Sequence, residues 1–210
     1  MIITVDHASK IIKDTKILDN ICMKLESGYV YGLKGKNGSG KTMLMRAICG
    51  LIHLTEGTVS IDGKIIGKDI DFPPSVGILL ENPSFLDDYS GFENLRIIAS
   101  VNKKLSDEDI YSVLEEVGLD PADKKKYKKY SLGMKQRLGI ACAVMEKPRL
   151  IILDEPTNAL DQEGVHLVSA LIQNKMNQDT IMIIADHNGE ELESWTDKIF
   201  SMESGRLEEY

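Results

Sequence analysis

A chain of 210 residues can bury a sizeable core, and with 28% charged and 42% hydrophobic residues it has the make-up of a soluble globular protein, one large domain or a core with an inserted lobe. No apolar run approaches the roughly 18 residues of a membrane span, and the start Met1-Ile2-Ile3-Thr4-Val5-Asp6 lacks the charged-then-apolar layout of a secretory signal, so the cytoplasm is the expected compartment. A net charge of −8 argues against broad attraction to nucleic acid or anionic lipid. The basic run Lys124-Lys125-Lys126-Tyr127-Lys128-Lys129 is read as a solvated surface in an acidic protein. Cys22, Cys49 and Cys142 stand far apart without metal-ligand spacing and in apolar company, so buried reduced thiols are expected.

The predicted elements begin with strands at Ile2-Ile3-Thr4-Val5 and from Ile17 to Leu25, separated by the polar stretch Lys13-Asp14-Thr15-Lys16. A short aromatic and β-branched strand, Tyr29-Val30-Tyr31-Gly32-Leu33, runs into Gly35-Lys36-Asn37-Gly38-Ser39-Gly40-Lys41-Thr42, and helix material follows from Met43 to Ile48. Glycine, four residues and then Gly-Lys-Thr, placed between a strand and a helix, is the phosphate-binding P-loop pattern. Its backbone N–H groups converge on one anion, and glycines stand where side chains would block phosphate oxygens. Asn37, Gly38, Ser39, Gly40, Lys41, Thr42 and Met43 are therefore candidate ATP-binding residues. Lys41 supplies a fixed positive charge for the β/γ-phosphates and the Thr42 hydroxyl an oxygen for Mg²⁺.

After this helix, Gly57 to Gly63 reads as a strand entering a hairpin, with Ile65-Ile66 beyond it, and Pro73-Pro74 precedes a strand over Ser75–Leu80 that ends at Glu81-Asn82-Pro83. From Gly91 to about Glu146 the pattern is helical: Phe92–Ile98, a helix capped by Ser106 and closed at Gly118, and a helix from about Gly133 to Met145. An unbroken apolar strand, Arg149 to Pro156, carries Asp154 and Glu155 at its carboxyl end. A helix over Glu163–Met176, a strand over Thr180–Ala185, a helix over Gly189–Trp195 and a strand over Lys198–Met202 complete the alternation. That order predicts an α/β fold with a largely parallel sheet, an N-terminal antiparallel β layer and ligands at the strands' carboxyl edge. Asp154 can hold Mg²⁺ there while Glu155 orients or deprotonates a water aimed at the γ-phosphate.

Together these residues resemble the ATPase subunit of an ATP-binding cassette (ABC) transporter over nearly the whole chain. Tyr130-Ser131-Leu132-Gly133-Met134-Lys135-Gln136-Arg137 stands where that family carries its signature segment, Ala159-Leu160-Asp161 is similar to its D-loop, and His187 matches its switch histidine. The resemblance implies a single ABC ATPase domain, residues 1–82 and 149–210 forming the P-loop core with its β layer and about 83–148 a helical lobe. It also implies a dimer with two ATP molecules held head to tail. Ser131 and Gly133 of one copy then cap the γ-phosphate held by the other, Asp161 links the two sites, and His187 contacts the γ-phosphate as a catalytic residue. Three departures are evident. Glu81 replaces the usual glutamine as a metal or water contact. Leu132 and Met134 replace a glycine and a glutamine of the signature. Ile12 stands where an aromatic ring normally stacks on adenine, keeping apolar contact without π-stacking.

The implied function is ATP hydrolysis that powers export through a separate membrane-spanning permease, with the chain peripheral on the inner face of the cell membrane, and the motif variants are similar to those of bacterial antibiotic, lantibiotic and peptide exporters. The docking surface implied for the permease is the start of the helical lobe, at Phe85, Leu86 and Tyr89. Two alternatives follow from the same residues. One is a soluble ABC-type ATPase in a non-transport assembly such as metal-cluster assembly. The other is a small-molecule kinase, for which the four arginines from Arg46 to Arg149 form no obvious acceptor motif.

Overall fold

The computed structural model describes residues 1–102, 105–186 and 189–209. The chain opens with strand β1 (Ile2–Ile12), which turns through Lys13 and Asp14 into β2 (Thr15–Glu26). Both turn residues are left-handed, at φ 46° and 65°, the two-residue geometry whose twist matches flanking strands. The break expected over four polar residues thus occupies two, and Thr15 and Lys16 already pair with Ile12 and Ile11. Strands β4 (Glu56–Ile61) and β5 (Lys64–Ile65) complete an antiparallel sheet ordered β2-β1-β4-β5, with Asp62-Gly63 as its second tight turn.

The central sheet is ordered β10-β9-β3-β8-β7-β6, from β3 (Tyr29–Lys34), β6 (Val76–Leu79), β7 (Leu150–Asp154), β8 (Ile181–Asp186), β9 (Lys198–Glu203) and β10 (Arg206–Glu209). All its pairings are parallel except that of β10 with β9. Sequence reading stops at the strand ending near Met202; the returning edge strand β10 is short and polar and shows itself through its ladder to Phe200–Glu203. Every residue of β7 and β8 is buried, as a parallel strand covered on both faces requires.

Alternate residues of these strands feed two cores. Tyr31, Leu33, Leu150, Ile152, Ile181 and Ile183 pack with the antiparallel sheet and with helix α1 (Lys41–Ile48) through Leu44, Met45 and Ile48. Val30, Ile151, Leu153, Met182 and Ile184 join a second core with α4 (Leu132–Val144), α5 (Gln162–Lys175) and Leu192 of α6 (Gly189–Trp195). Helices α2 (Gly91–Asn102) and α3 (Asp107–Glu116) join that core through Leu95, Ala99, Ile110, Val113 and Leu114. Ser106 caps α3 by accepting from the Asp109 N–H while the Asp109 side chain reaches back, a reciprocal capping box.

Two expectations change on the structure. Cys49 is buried and Cys142 half-buried, but Cys22 is exposed. Its apolar neighbours Ile21 and Met23 face inward, and the two-residue period of β2 turns the residue between them to solvent. The lysine run is a surface, as read, but part of it works as a clamp: Lys126 pairs with Glu93 at 3.1 Å, Lys128 pairs with Asp88, and the buried Tyr127 donates its hydroxyl to the Pro83 carbonyl at 2.6 Å.

Strand β6 and helix α4 meet closely at Gly77, where a Cβ would stand 1.6 Å from the Ala143 carbonyl oxygen. Gly77→Ala therefore forces strand and helix apart, at an expected cost of about 3 kcal/mol or a drop of roughly 6–12 °C in Tm. Thermal melting of the variant beside the parent checks this, and an unchanged Tm would mean that α4 shifts freely.

Candidate functional site

The end of β3 runs into a loop whose shape is set by what it lies against. A Cβ at Gly35 would stand 2.4 Å from the Met202 carbonyl oxygen and one at Gly40 2.9 Å from that of Ile17, so the loop is wedged between β9 and β2. Gly38 and Gly40 are left-handed, at φ 80° and 109°. At Gly38 no atom would stand within 4 Å of an added Cβ, which leaves open space beside that turn. Helix α1 begins at Lys41, so its free N–H groups and positive dipole end face this loop. Lys41 is 5% exposed, and its ammonium donates back to the carbonyls of Gly35 at 2.6 Å and Lys36 at 3.2 Å. The loop and its lysine thus form one cradle of positive charge and inward-facing dipoles.

Opposite the cradle, Thr42 donates its hydroxyl to Asp154 Oδ2 at 2.6 Å. Asp154 is 7% exposed at the carboxyl end of β7. Burial pushes its carboxyl above the usual range; the Thr42 hydrogen bond pulls it back, Glu155 and Glu81 raise it further, and Lys41 lowers it. Glu155 holds a left-handed φ of 47°. Its N–H donates to the Ala185 carbonyl at 2.7 Å, its carbonyl accepts from Gln136 Nε2 at 2.9 Å, and its Oε2 accepts from Asn158 Nδ2. Glu81 is also left-handed, at φ 60°, and its Oε1 accepts from Arg46 Nη2 at 2.7 Å. A cavity of about 470 Å³ runs over these groups, lined by Asn37, Gly38, Ser39, Gly40, Lys41, Thr42 and Met43 on one side and Glu81, Asp154 and Glu155 on the other. A hydroxyl and nearby carboxylates, all oxygen donors, suit a hard divalent cation.

Sequence reasoning missed four residues here. Gln136, Asn158, Asn82 and Ile17 line the same cavity, yet nothing in the spacing of a lone amide or isoleucine announces it. Outside that lining, Asp186 is fully buried at the end of β8 and accepts from the Thr157 hydroxyl at 2.9 Å. Its signal was present in the sequence, as an acid ending an apolar strand in the manner of Asp154. Ile12 stands 41% exposed at the end of β1, outside the residues that line the cavity, whereas Ile17 on the paired strand is among them. Ser131, Gly133 and Asp161 do not meet the cradle. They line a second cavity of about 400 Å³ with Leu132, Arg137, Ala159 and Leu160. There Ser131 caps α4 by accepting from the Met134 N–H at 3.2 Å, and Asp161 caps α5 by accepting from the Gly164 N–H at 2.9 Å. His187 lies outside the described residues.

A glycine cradle between a buried strand and a helix, a lysine inside it, and a threonine bonded to a strand-end aspartate define the class of P-loop nucleotide-binding proteins. The family described as ABC transporter matches residues 18–158. The chain is 47% identical over 206 residues to the uncharacterized ABC transporter ATP-binding protein YybJ of Bacillus subtilis (strain 168), covering 98% of this chain and 94% of that protein. It is 37% identical over 210 residues to the bacitracin transport ATP-binding protein BcrA of Enterococcus faecalis, covering 99% of this chain and 68% of that protein. Its fold resembles that of a dimeric ATP-binding cassette in a post-hydrolysis state bound to ADP and Pi, with a TM-score of 0.87 at 19% identity over 99% of this chain and 97% of that one. The chain belongs to the ABC transporter family, as one of its ATP-binding proteins.

Because Arg46 holds Glu81 in an ion pair beside Asp154, Arg46→Met leaves an extra uncompensated carboxylate at the cavity. The Mg²⁺ concentration that half-saturates nucleotide binding is then expected to fall roughly two- to fivefold, the range of a partly exposed ion pair. Titration of a fluorescent ATP analogue at stepped Mg²⁺ measures it.

Proposed function

We propose that the chain hydrolyses ATP in a head-to-tail dimer and uses the cycle to drive export through a separate membrane-spanning permease. The observation that carries this reading is the Thr42–Asp154 hydrogen bond beside the Lys41 cradle, on a chain whose Ser131 and Gly133 lie in a different cavity. A phosphate in the cradle is contacted from one side by Lys41 and by the free N–H groups at the start of α1, while the Ser39 N–H stays bonded to the Lys36 carbonyl at 3.1 Å. The opposite side is open to the helix N-terminus of another copy, where Ser131 and Gly133 can cap it.

In this assignment Thr42, Asp154 and Glu81 would hold Mg²⁺, which would supply charge neutralisation for the triphosphate. Glu155, fixed through its own backbone and through Asn158, orients a water on the γ-phosphate side and takes its proton. Gln136 ties this acid to α4 at the same time. Asp161 serves the contact between copies, His187 is assigned to the γ-phosphate, and Ile12 to the edge of the adenine site, whose cavity Ile17 lines.

No helix among the described residues is long and apolar enough to cross a membrane, and this reading assigns the membrane passage to a separate permease. Leu86 and Tyr89 are 51% and 43% exposed, and Phe85 lines a groove with Leu51, Ile78 and Ile98, which supports docking at the start of the helical lobe. In this reading the chain is peripheral on the inner face of the membrane, and residues 1–210 form one ATPase domain. The bacitracin transport relative supports a peptide antibiotic as the class of cargo.

Glu155→Gln removes the proton acceptor and keeps the shape. ATP hydrolysis should fall by roughly 10²-fold or more, ATP binding should persist, and dimers should accumulate on ATP in size-exclusion with light scattering. Unchanged hydrolysis would refute the assignment of Glu155.

A further inference from the structure

The antiparallel sheet carries a feature remote from phosphate chemistry. Val5 pairs with Met23 and Ala8 with Ile21, so Asp6 and His7 together stand opposite the single residue Cys22. Two residues facing one is the signature of a β-bulge, and bulges re-aim side chains. Regular alternation would send Asp6 and His7 to opposite faces; here both are exposed and so is Cys22. Each can offer one ligand atom, and these carboxylate, imidazole and sulfur atoms all lie within 4.8 Å of one another.

The bulge is held in shape from several directions. His7 is left-handed at φ 49° and donates its N–H to Cys22 Sγ at 3.4 Å. Behind it, Gly57 leaves the room the bulge needs, since a Cβ there would stand 2.3 Å from the His7 carbonyl oxygen and 2.4 Å from that of Asp6. The His7 ring is oriented as well. Nδ1 lies 2.7 Å from Asn20 Oδ1, and an amide oxygen only accepts, so Nδ1 is the donor and Nε2 is the ring nitrogen left for a metal in the neutral imidazole. Nε2 is 3.8 Å from Asp6 Oδ1. Asn20 is itself fixed by its N–H donating to Ser9 Oγ at 3.0 Å. A histidine whose far nitrogen is tied to an oxygen acceptor while its near nitrogen faces a carboxylate is the arrangement in which imidazoles ligate metals.

We propose that Asp6, His7 and Cys22 form a surface binding site for a zinc-class divalent cation that cross-links β1 to β2, independent of the nucleotide site. One oxygen, one nitrogen and one sulfur donor select a borderline metal, since Mg²⁺ and Ca²⁺ require oxygen alone. Three protein ligands leave a fourth tetrahedral position to water. Metal–ligand bonds of about 2.0–2.3 Å bring ligand atoms to roughly 3.3–3.8 Å of each other, so side-chain adjustments of about 1 Å assemble the site without moving the strands.

The test uses tag-free, nucleotide-free protein titrated with Co²⁺ and with Zn²⁺. The parent chain should take up one equivalent of Co²⁺ with a thiolate-to-metal charge-transfer band, and at a hundredfold excess over Kd Zn²⁺ should raise Tm by about 5 °C. Cys22→Ser, an isosteric change at an exposed position, should lose the band and bind Zn²⁺ at least tenfold more weakly. Asn20→Gly, which keeps the left-handed backbone while deleting the acceptor for Nδ1, should weaken Zn²⁺ by roughly tenfold. Cys49 and Cys142 do not confuse the readout, because burial pushes their thiols up to about 12 and about 11. Equal Zn²⁺ uptake by parent and Cys22→Ser means adventitious binding and overturns the proposal, as does a Co²⁺ spectrum without the charge-transfer band.

Discussion

A lysine ammonium at 5% exposure is intolerable in a protein interior unless dipoles or charges surround it. Lys41 meets that constraint by donating into the carbonyls of Gly35 and Lys36, the first residues of the loop that wraps it. The bonds close the loop onto its own helix, and they also preload the site. An anion entering the cradle finds the lysine charge in place and the first turn of α1 already formed, so little reorganisation is left to oppose binding. Much else follows from keeping that loop still. β3 must be straight and buried to deliver it, β9 and β2 must press close enough to exclude any side chain at Gly35 and Gly40, and α1 must be anchored through Leu44, Met45 and Ile48.

The same constraint explains how an acidic chain can hold a polyanion. The net charge is −8, but locally the cradle presents one lysine and a helix N-terminus while the carboxylates of Asp154, Glu155 and Glu81 gather on the facing wall. Positive and negative halves are thus separated across one cavity. Burial is the main cause of the upward push on Asp154 and its acid neighbours add to it, while two neutral partners and one cation limit the cost of gathering the acids: Thr42 on Asp154, Asn158 on Glu155, Arg46 on Glu81. A divalent cation fits such a wall because it converts mutual repulsion into shared ligation.

The legible parts of the fold were those written locally. The P-loop, the strand ending in Asp154-Glu155 and the capped helix at Ser106 each declare themselves within about ten residues, because the physics that fixes them is a turn, a buried strand or a helix end. What escaped was settled by residues distant in sequence. Gly77 carries no local signal, and its meaning comes from Ala143 lying against it. The choice of Ile17 over Ile12 as a cavity wall depends on a hairpin turn two residues shorter than its polar composition suggested. Cys22 looks apolar by its neighbours and is exposed by its parity in the strand. The Arg46 partner of Glu81 lies thirty-five residues earlier, on a different element.

The placement of Ser131 and Gly133 follows from the same economy of helix ends. An α-helix leaves its first N–H groups without intrahelical partners, and each must be capped, hydrated or aimed at an anion. α1 aims its set at the loop of its own chain. α4 uses Ser131 for one N–H, through Met134, and leaves the rest of its first turn facing the cavity shared with Asp161. Gly133 keeps that turn bare, since a Cβ there would stand 2.8 Å from the Ala159 carbonyl oxygen. Two helix N-termini on one chain stand in separate cavities, and the proposed dimer assigns each of them half of an anion site. In the dimer proposed above a second copy supplies the missing half twice over, which makes nucleotide and partner copy ligands for each other: either one bound raises the affinity for the other, and loss of the γ-phosphate removes the contact they share.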